Sequence, residues 1–222
     1  RFIPVRQSVN GLTGNVNAAN QAAIIETTRR IYPLSAVNVA IHALYTTQSP
    51  ALDSNDISGA WGQILNETSA LQAAEGSTEN YVSIVATSYG SGIAGLGWIG
   101  APAAVAWDKP GSAPGVVAHE LGHNFGRYHA PCGNPSNPDL NFPYSGGFIG
   151  TWGIDLTAQL LKAPTVIRDL MSYCHPEWIS DYTYMGVLAF RSSSAGTQPG
   201  QPAPGLLVWG RILPGRLVLE PG

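Results

Sequence analysis

Residues 119–129 read His119-Glu120-Leu121-Gly122-His123-Asn124-Phe125-Gly126-Arg127-Tyr128-His129. On a helix, positions i and i+4 lie only about 40° apart, so His119 and His123 point the same way. Two imidazoles on one face can hold one Zn²⁺, and Glu120 lies beside that face, where it can take a proton from a water at the ion. A straight helix would carry the following residues away. Gly126 can adopt positive φ and end it, after which the chain turns and His129 reaches the ion from outside the helix. Three neutral His leave a fourth position open, as a catalytic rather than a structural zinc requires. The alternative is a polar helix with surface histidines. Against it stands the clustering of three of the chain's five His within these eleven residues.

The rest of the 222-residue chain frames this segment. Charged residues make up 11% and hydrophobic residues 44%. Charge is thus well below the roughly 25% of ordinary soluble domains, while the apolar share suffices for a core. Net charge is −3, with no basic run, so a nucleic-acid partner is excluded. The longest stretch without Asp, Glu, Lys or Arg runs from Asn80 to Trp107. Gly90, Gly92, Gly95, Gly97, Gly100 and Pro102 cut it into short pieces, so a transmembrane span is not expected. The overlapping GxGxxG patterns in that stretch lack a following helix and a suitably spaced acid, and dinucleotide binding is set aside. No signal-peptide pattern stands at Arg1-Phe2-Ile3-Pro4.

Periodicity predicts strands over Phe2–Val9, Val37–Leu44 and Tyr81–Ala86, and one or two strands within Gly90–Trp107. Helices are expected over Ala18–Ile31, with Ala22, Ile24 and Ile25 inward, and over Asp56–Ala74, with Trp61, Ile64, Leu65, Thr68 and Leu71 as its stripe. Two more follow over Pro114–Asn124 and over Tyr182–Arg191, the last capped by Ser180 or Asp181. Pro131–Gly150 should be an irregular loop. The order of elements gives an α/β layer with a mixed sheet. Residues 192–205 read as a Ser/Gly/Pro-rich linker. Residues 206–222 read as a hairpin that either begins a further β domain or packs back on the main one.

The extended motif resembles the metzincin clan of zinc endopeptidases, and Asp169-Leu170-Met171-Ser172-Tyr173 resembles that clan's Met-turn. His-Ala-Pro-Cys-Gly (129–133), Gly-Thr-Trp-Gly-Ile-Asp (150–155) and Met-Ser-Tyr-Cys (171–174) look like a group of secreted bacterial metzincins related to mucin- and glycoprotein-cleaving proteases. The resemblance covers residues 114–184 well and residues 1–113 only by element order. It implies an α/β (α+β) fold: a twisted mixed sheet with two packed helices and the active-site helix, then a small irregular subdomain with a Met-turn and one helix. The catalytic domain would be residues 1–191, divided into 1–126 and 127–191. It further implies one catalytic Zn²⁺ on His119, His123 and His129, Glu120 as general base, Met171 as the floor, and Tyr173 as a switchable ligand and oxyanion donor. Ala130 after the third His departs from the branches that carry such a Tyr.

In a metzincin, Cys132 and Cys174 lie beside or beneath the metal, so the resemblance implies a disulfide between them; two free thiols or a thiolate ligand are the alternatives. A disulfide implies a secreted or cell-surface protein. Gly95, Leu96, Gly97, Trp98 and Ile99 would form an edge strand to which substrate adds, or else a purely structural hairpin. His175 would line the cleft or be an ordinary loop histidine. Asn134, Asn137, Asp139, Asn141 and Asp155 carry oxygens of the kind Ca²⁺ takes, although loops of this composition are usually turns. The expected partner is a protein or glycoprotein substrate, and the expected state a monomer. Competing readings are a peptidase with a distant Glu as third ligand and a non-catalytic glycoprotein-binding module on the same fold.

Overall fold

The computed structural model describes residues 1–194 and the strand residues 210–213 and 216–219. A five-stranded sheet organises the described chain. It is built from β1 (Phe2–Gln7), β2 (Tyr45–Thr47), β3 (Tyr81–Val85), β4 (Gly95–Gly97) and β5 (Ala103–Trp107) in the order β2-β1-β3-β5-β4. All neighbours are parallel except β4, which runs antiparallel to β5 at one edge. Every residue of β3 and β5 is buried, as expected of central parallel strands covered on both faces.

Strand alternation sorts the core into two layers. Phe2, Val82, Ile84, Ala104 and Ala106 face one way. They pack with residues of α1 (Gln21–Ile24), α2 (Glu26–Ile31), α4 (Ala113–Asn124) and α5 (Asp181–Ser194). Ile3, Val5, Tyr81, Val85, Ala103 and Val105 face the other way and pack on Trp61, Ile64 and Leu65 of α3 (Ala60–Ala74). Between α4 and α5 the strands form two short pairs: β6 (Gly153–Asp155) with β7 (Leu160–Lys162), and β8 (Arg168–Asp169) with β9 (Glu177–Trp178).

Several expectations are corrected. Residues 18–31 form two short helices, not one, because Ile25 leaves ideal helical geometry (φ −89°, ψ −2°). Ile24 and Ile25 are buried, but Ala22 is exposed. Val37, Val39 and Ile41 do pack on the core, yet only Ile41 pairs, opposite Phe2. Backbone contact there is made by the Phe2 amide donating to Ala40 O (2.9 Å) and the His42 amide donating to Phe2 O (2.8 Å), and the ladder resumes as β2. The helix expected from Asp56 starts at Ala60. The Asp53 carboxylate accepts the amides of Asn55 (3.0 Å) and Ile57 (3.1 Å), and Asp56 accepts that of Trp61 (2.9 Å), which holds 53–59 as a loop.

The helix expected over 182–191 runs to Ser194. The Ser192 and Ser193 hydroxyls donate to the carbonyls of Leu188 and Phe190, both at 2.8 Å, so the expected linker starts inside a helix. The remainder of that linker, 195–205, lies outside the described residues. Within the expected hairpin, β10 (Gly210–Leu213) pairs antiparallel with β11 (Arg216–Leu219); the rest of 206–222 also lies outside them. Among the described residues, no helix is long and apolar enough to cross a membrane.

Candidate metal centre and cleft

Helix α4 carries His119, Glu120 and His123, and ends at Gly126 with φ +78°. The Gly126 amide donates to His123 O (2.8 Å) and the Arg127 amide to Gly122 O (3.0 Å). This left-handed stop reverses the chain, as the sequence requires for His129 to return. The Asn124 side chain ties the same end to the sheet by donating to Trp98 O (3.1 Å) and Ala103 O (2.8 Å).

Each histidine is oriented through Nδ1, which donates to a backbone carbonyl: His119 to Leu170 (2.8 Å), His123 to Arg127 (2.7 Å) and His129 to Ser136 (2.6 Å). With the proton on Nδ1, each Nε2 presents a lone pair. One ligand atom from each of the three lies within 4.8 Å of the others. The Nε2 atoms of His123 and His129 stand 3.1 Å apart with no proton between them, an arrangement that a cation satisfies and a protein hydrogen bond does not. Burial, reinforced by the neighbouring histidines, depresses His119 to about 3 and His123 to about 4, and burial lowers His129 as well. All three are neutral at pH 7, as ligation demands. The donor set therefore fits Zn²⁺.

Glu120 is buried, and desolvation pushes its carboxyl up to about 8. Edge strand β4 crosses directly over it. A Cβ at Gly95 would stand 2.5 Å from Glu120 Oε1, and one at Gly97 would stand 2.8 Å from Glu120 O. Only glycine lets strand and helix approach this closely. The expected edge segment is shorter than 95–99. Gly100 turns the chain at φ +74°, so Trp98 and Ile99 lie beyond the ladder, both exposed. Leu96 is 37% exposed.

Met171 is fully buried beneath α4. A Cβ at Gly122 would meet Met171 Sδ at 2.3 Å and Tyr32 Oη at 2.5 Å. Tyr32 donates to Ala118 O (2.8 Å). The Ala130 amide donates to Met171 O (2.9 Å), and the Tyr173 amide to Cys132 O (3.0 Å). Cys132 and Cys174 form a disulfide, which binds the loop after His129 to the turn after Met171. Tyr173 Oη reaches His129 Nε2 at 3.1 Å, and the ring is about half exposed. His175 lines the same cleft, a cavity of about 870 Å³ that also contains His119, Glu120 and Tyr173.

Sequence reasoning missed Asp169. Its fully buried carboxylate accepts the amides of Met171 and Ser180, each at 2.8 Å. An acid two residues before Met171 was the available signal. Of the residues considered for Ca²⁺, Asp139 faces Tyr182 Oη (2.9 Å) and Arg127 (3.8 Å), and Asp155 faces Arg30 and Lys162. Asn134 and Asn137 are positive-φ turn residues.

A helix-borne His pair, a third His returned by a glycine stop, and a buried carboxylate under a sheet edge define a zinc metallopeptidase of the metzincin type. More narrowly, the chain belongs to metallo-peptidase family M12, whose Reprolysin_5 model matches residues 7–151. A comparison with curated proteins finds no match.

Proposed function

We propose that the chain is a secreted endopeptidase in which His119, His123 and His129 hold the catalytic zinc and Glu120 is the general base. The observation that carries this reading is the Glu120 carboxylate, buried beside the histidines yet lining the open cleft. Bound Zn²⁺ supplies a Lewis acid that polarises the scissile carbonyl and acidifies water. Glu120 accepts the proton of the attacking water and delivers it to the leaving nitrogen; zinc on the adjacent histidines would oppose the burial that raises its carboxyl and keep it ionised for the first step. Tyr173 Oη donates a hydrogen bond to the developing oxyanion. Substrate backbone pairs with the free edge of β4 at Gly95–Gly97, with Trp98 and Ile99 flanking it. Met171 acts as the floor of a Met-turn that Asp169 and the disulfide hold in place.

The catalytic unit spans residues 1–191, with subdomains 1–126 and 127–191, and acts as a monomer. The disulfide supports an extracytoplasmic site of action. Exposed Trp98 and Trp152 (45% and 60%) support contact with glycoprotein substrates, because aromatic faces can pack on sugars or apolar side chains. The purified protein should contain one zinc per chain and cleave casein or mucin; a chelator should stop cleavage and added zinc restore it. Substrate binding with no cleavage in the zinc-loaded protein would instead identify a non-catalytic glycoprotein-binding module.

A further inference from the structure

We propose that Glu177 makes the cleft selective for substrates bearing Lys or Arg on the amine side of the scissile bond. The inference rests on Glu120 as proton carrier. If Glu120 protonates the leaving nitrogen, the residue carrying that nitrogen lies on the Glu120 side of the triad. Its side chain then enters the cavity of about 870 Å³, which Glu120 and Glu177 both line.

Glu177 lies in β9 beside Trp178; strand alternation turns Trp178 into the core and Glu177 away from it. Its carboxylate rests against α4, where a Cβ at Gly115 would stand 3.1 Å from Glu177 Oε1. Gly115 precedes His119 by four residues, so the carboxylate sits about one helical turn, roughly 5.4 Å, beyond the first metal ligand. Val116 and Trp107 give the cavity apolar wall. An aliphatic stem with a cationic tip fits this order of surfaces: apolar near the scissile bond and anionic one turn deeper.

No Lys or Arg forms an ion pair with this carboxylate among the described residues. Its ion-pair partner among them is His175 Nδ1, at 3.4 Å on a highly exposed ring, which is charged only when protonated. Arg168, opposite Glu177 in the β8–β9 register, is instead committed to Gly146 O and the Phe148 ring. Arg30 and Lys162 share a second cavity with Glu177 but pair with Asp155. No Lys or Arg is among the described residues lining the main cavity.

The test is cleavage of a mixed peptide library by the zinc-loaded protein, with both sides of each cut sequenced. Lys and Arg should be enriched on the amine side. Glu177→Gln should lower the ratio of kcat/KM for a Lys peptide to that for its Leu analogue about tenfold, the scale of one charge-assisted hydrogen bond, and Glu177→Lys should turn the preference towards Asp or Glu. A second measurement is independent of turnover: fluorescence polarisation of the same labelled peptides on Glu120→Gln protein. The Lys peptide should bind more tightly than the Leu peptide, and adding Glu177→Gln should erase the difference. Cleavage without basic enrichment, or a basic preference that survives Glu177→Gln, overturns the inference and leaves the peptidase reading standing. Lys-selective binding without any cleavage by the native protein overturns the peptidase reading, and with it the placement on the amine side, and leaves the Glu177-dependent selectivity of the cleft for basic side chains.

Discussion

Glu120 has no cationic partner among the described residues, so only burial acts on its proton affinity. Its isostere should therefore be tolerated structurally. Glu120→Gln is expected to keep one zinc per chain, by elemental analysis, while turnover falls by about 10²–10⁴, the usual range for a general base. Tyr173→Phe should keep the zinc as well and lower kcat by up to about 10², the scale of one oxyanion donor. Asp169 is a residue of a different kind, since it touches no reacting atom. Removing its carboxylate strands two amides in a buried turn, so Asp169→Ala should lose at least about 2 kcal/mol in urea denaturation. The metal motif was legible because helix geometry alone dictates its spacing. Tyr32 was not, because its partners Ala118 and Met171 lie far away in the chain, and Asp169 and Glu177 were not, because no local period marks them.

At the scale of elements, the strongly patterned pieces were readable and the short ones were not. β3 and β5 announce themselves as apolar runs, and α3 by its Trp61–Ile64–Leu65–Thr68 stripe. β6 to β9 contain two or three residues each, too few to show a period of two. Their order comes from side-chain ties instead. Asp155 on β6 is buried against Arg30 of α2 and near Lys162 of β7. Burial alone would raise this carboxyl, but the Ala158 amide, Arg30 and Lys162 outweigh it and hold the group below its ordinary value. The tie therefore stabilises the fold above about pH 4 and fades as pH falls through the depressed folded-state value. Asp155→Asn should be destabilising at pH 7 and progressively less so as the pH falls below about 4, by urea denaturation across that range. The disulfide is a second tie, with a sequence separation of 42. Reducing it should lower stability by up to about 4 kcal/mol on the chain-entropy view and weaken zinc retention, because the His129 loop loses its link to the Met171 turn.

At the scale of the molecule, the metal centre joins two regions that differ in kind. Residues up to Gly126 build the five-stranded sheet and the helices beside it, whereas those after it supply loops, short strand pairs and α5, which packs back on the same core. His129 comes from the second region and the other two ligands from the first. A metal bound only by the folded chain adds to its stability by mass action. Chelation should accordingly lower the Tm seen in calorimetry, and the Tm should recover with zinc in a concentration-dependent way. The class of fold could be read from the order of patterned segments. The cleft could not, since it arises where β4, α4 and the 171–177 segment converge across long sequence separations.

Gly122 falls at one of the motif's two unspecified positions, yet the space beside it is already filled by Met171 and Tyr32. The other, Leu121, is buried in the core. In this scaffold the five-letter signature is thus effectively fully spelled: three letters are dictated by chemistry on one side of the helix and two by neighbours on the other. Grafting a His-Glu-x-x-His pentapeptide without Gly at its fourth place onto α4 would preserve both helix histidines and Glu120 and still drive a side chain into Met171 and Tyr32, so a pattern match understates how much information the segment holds.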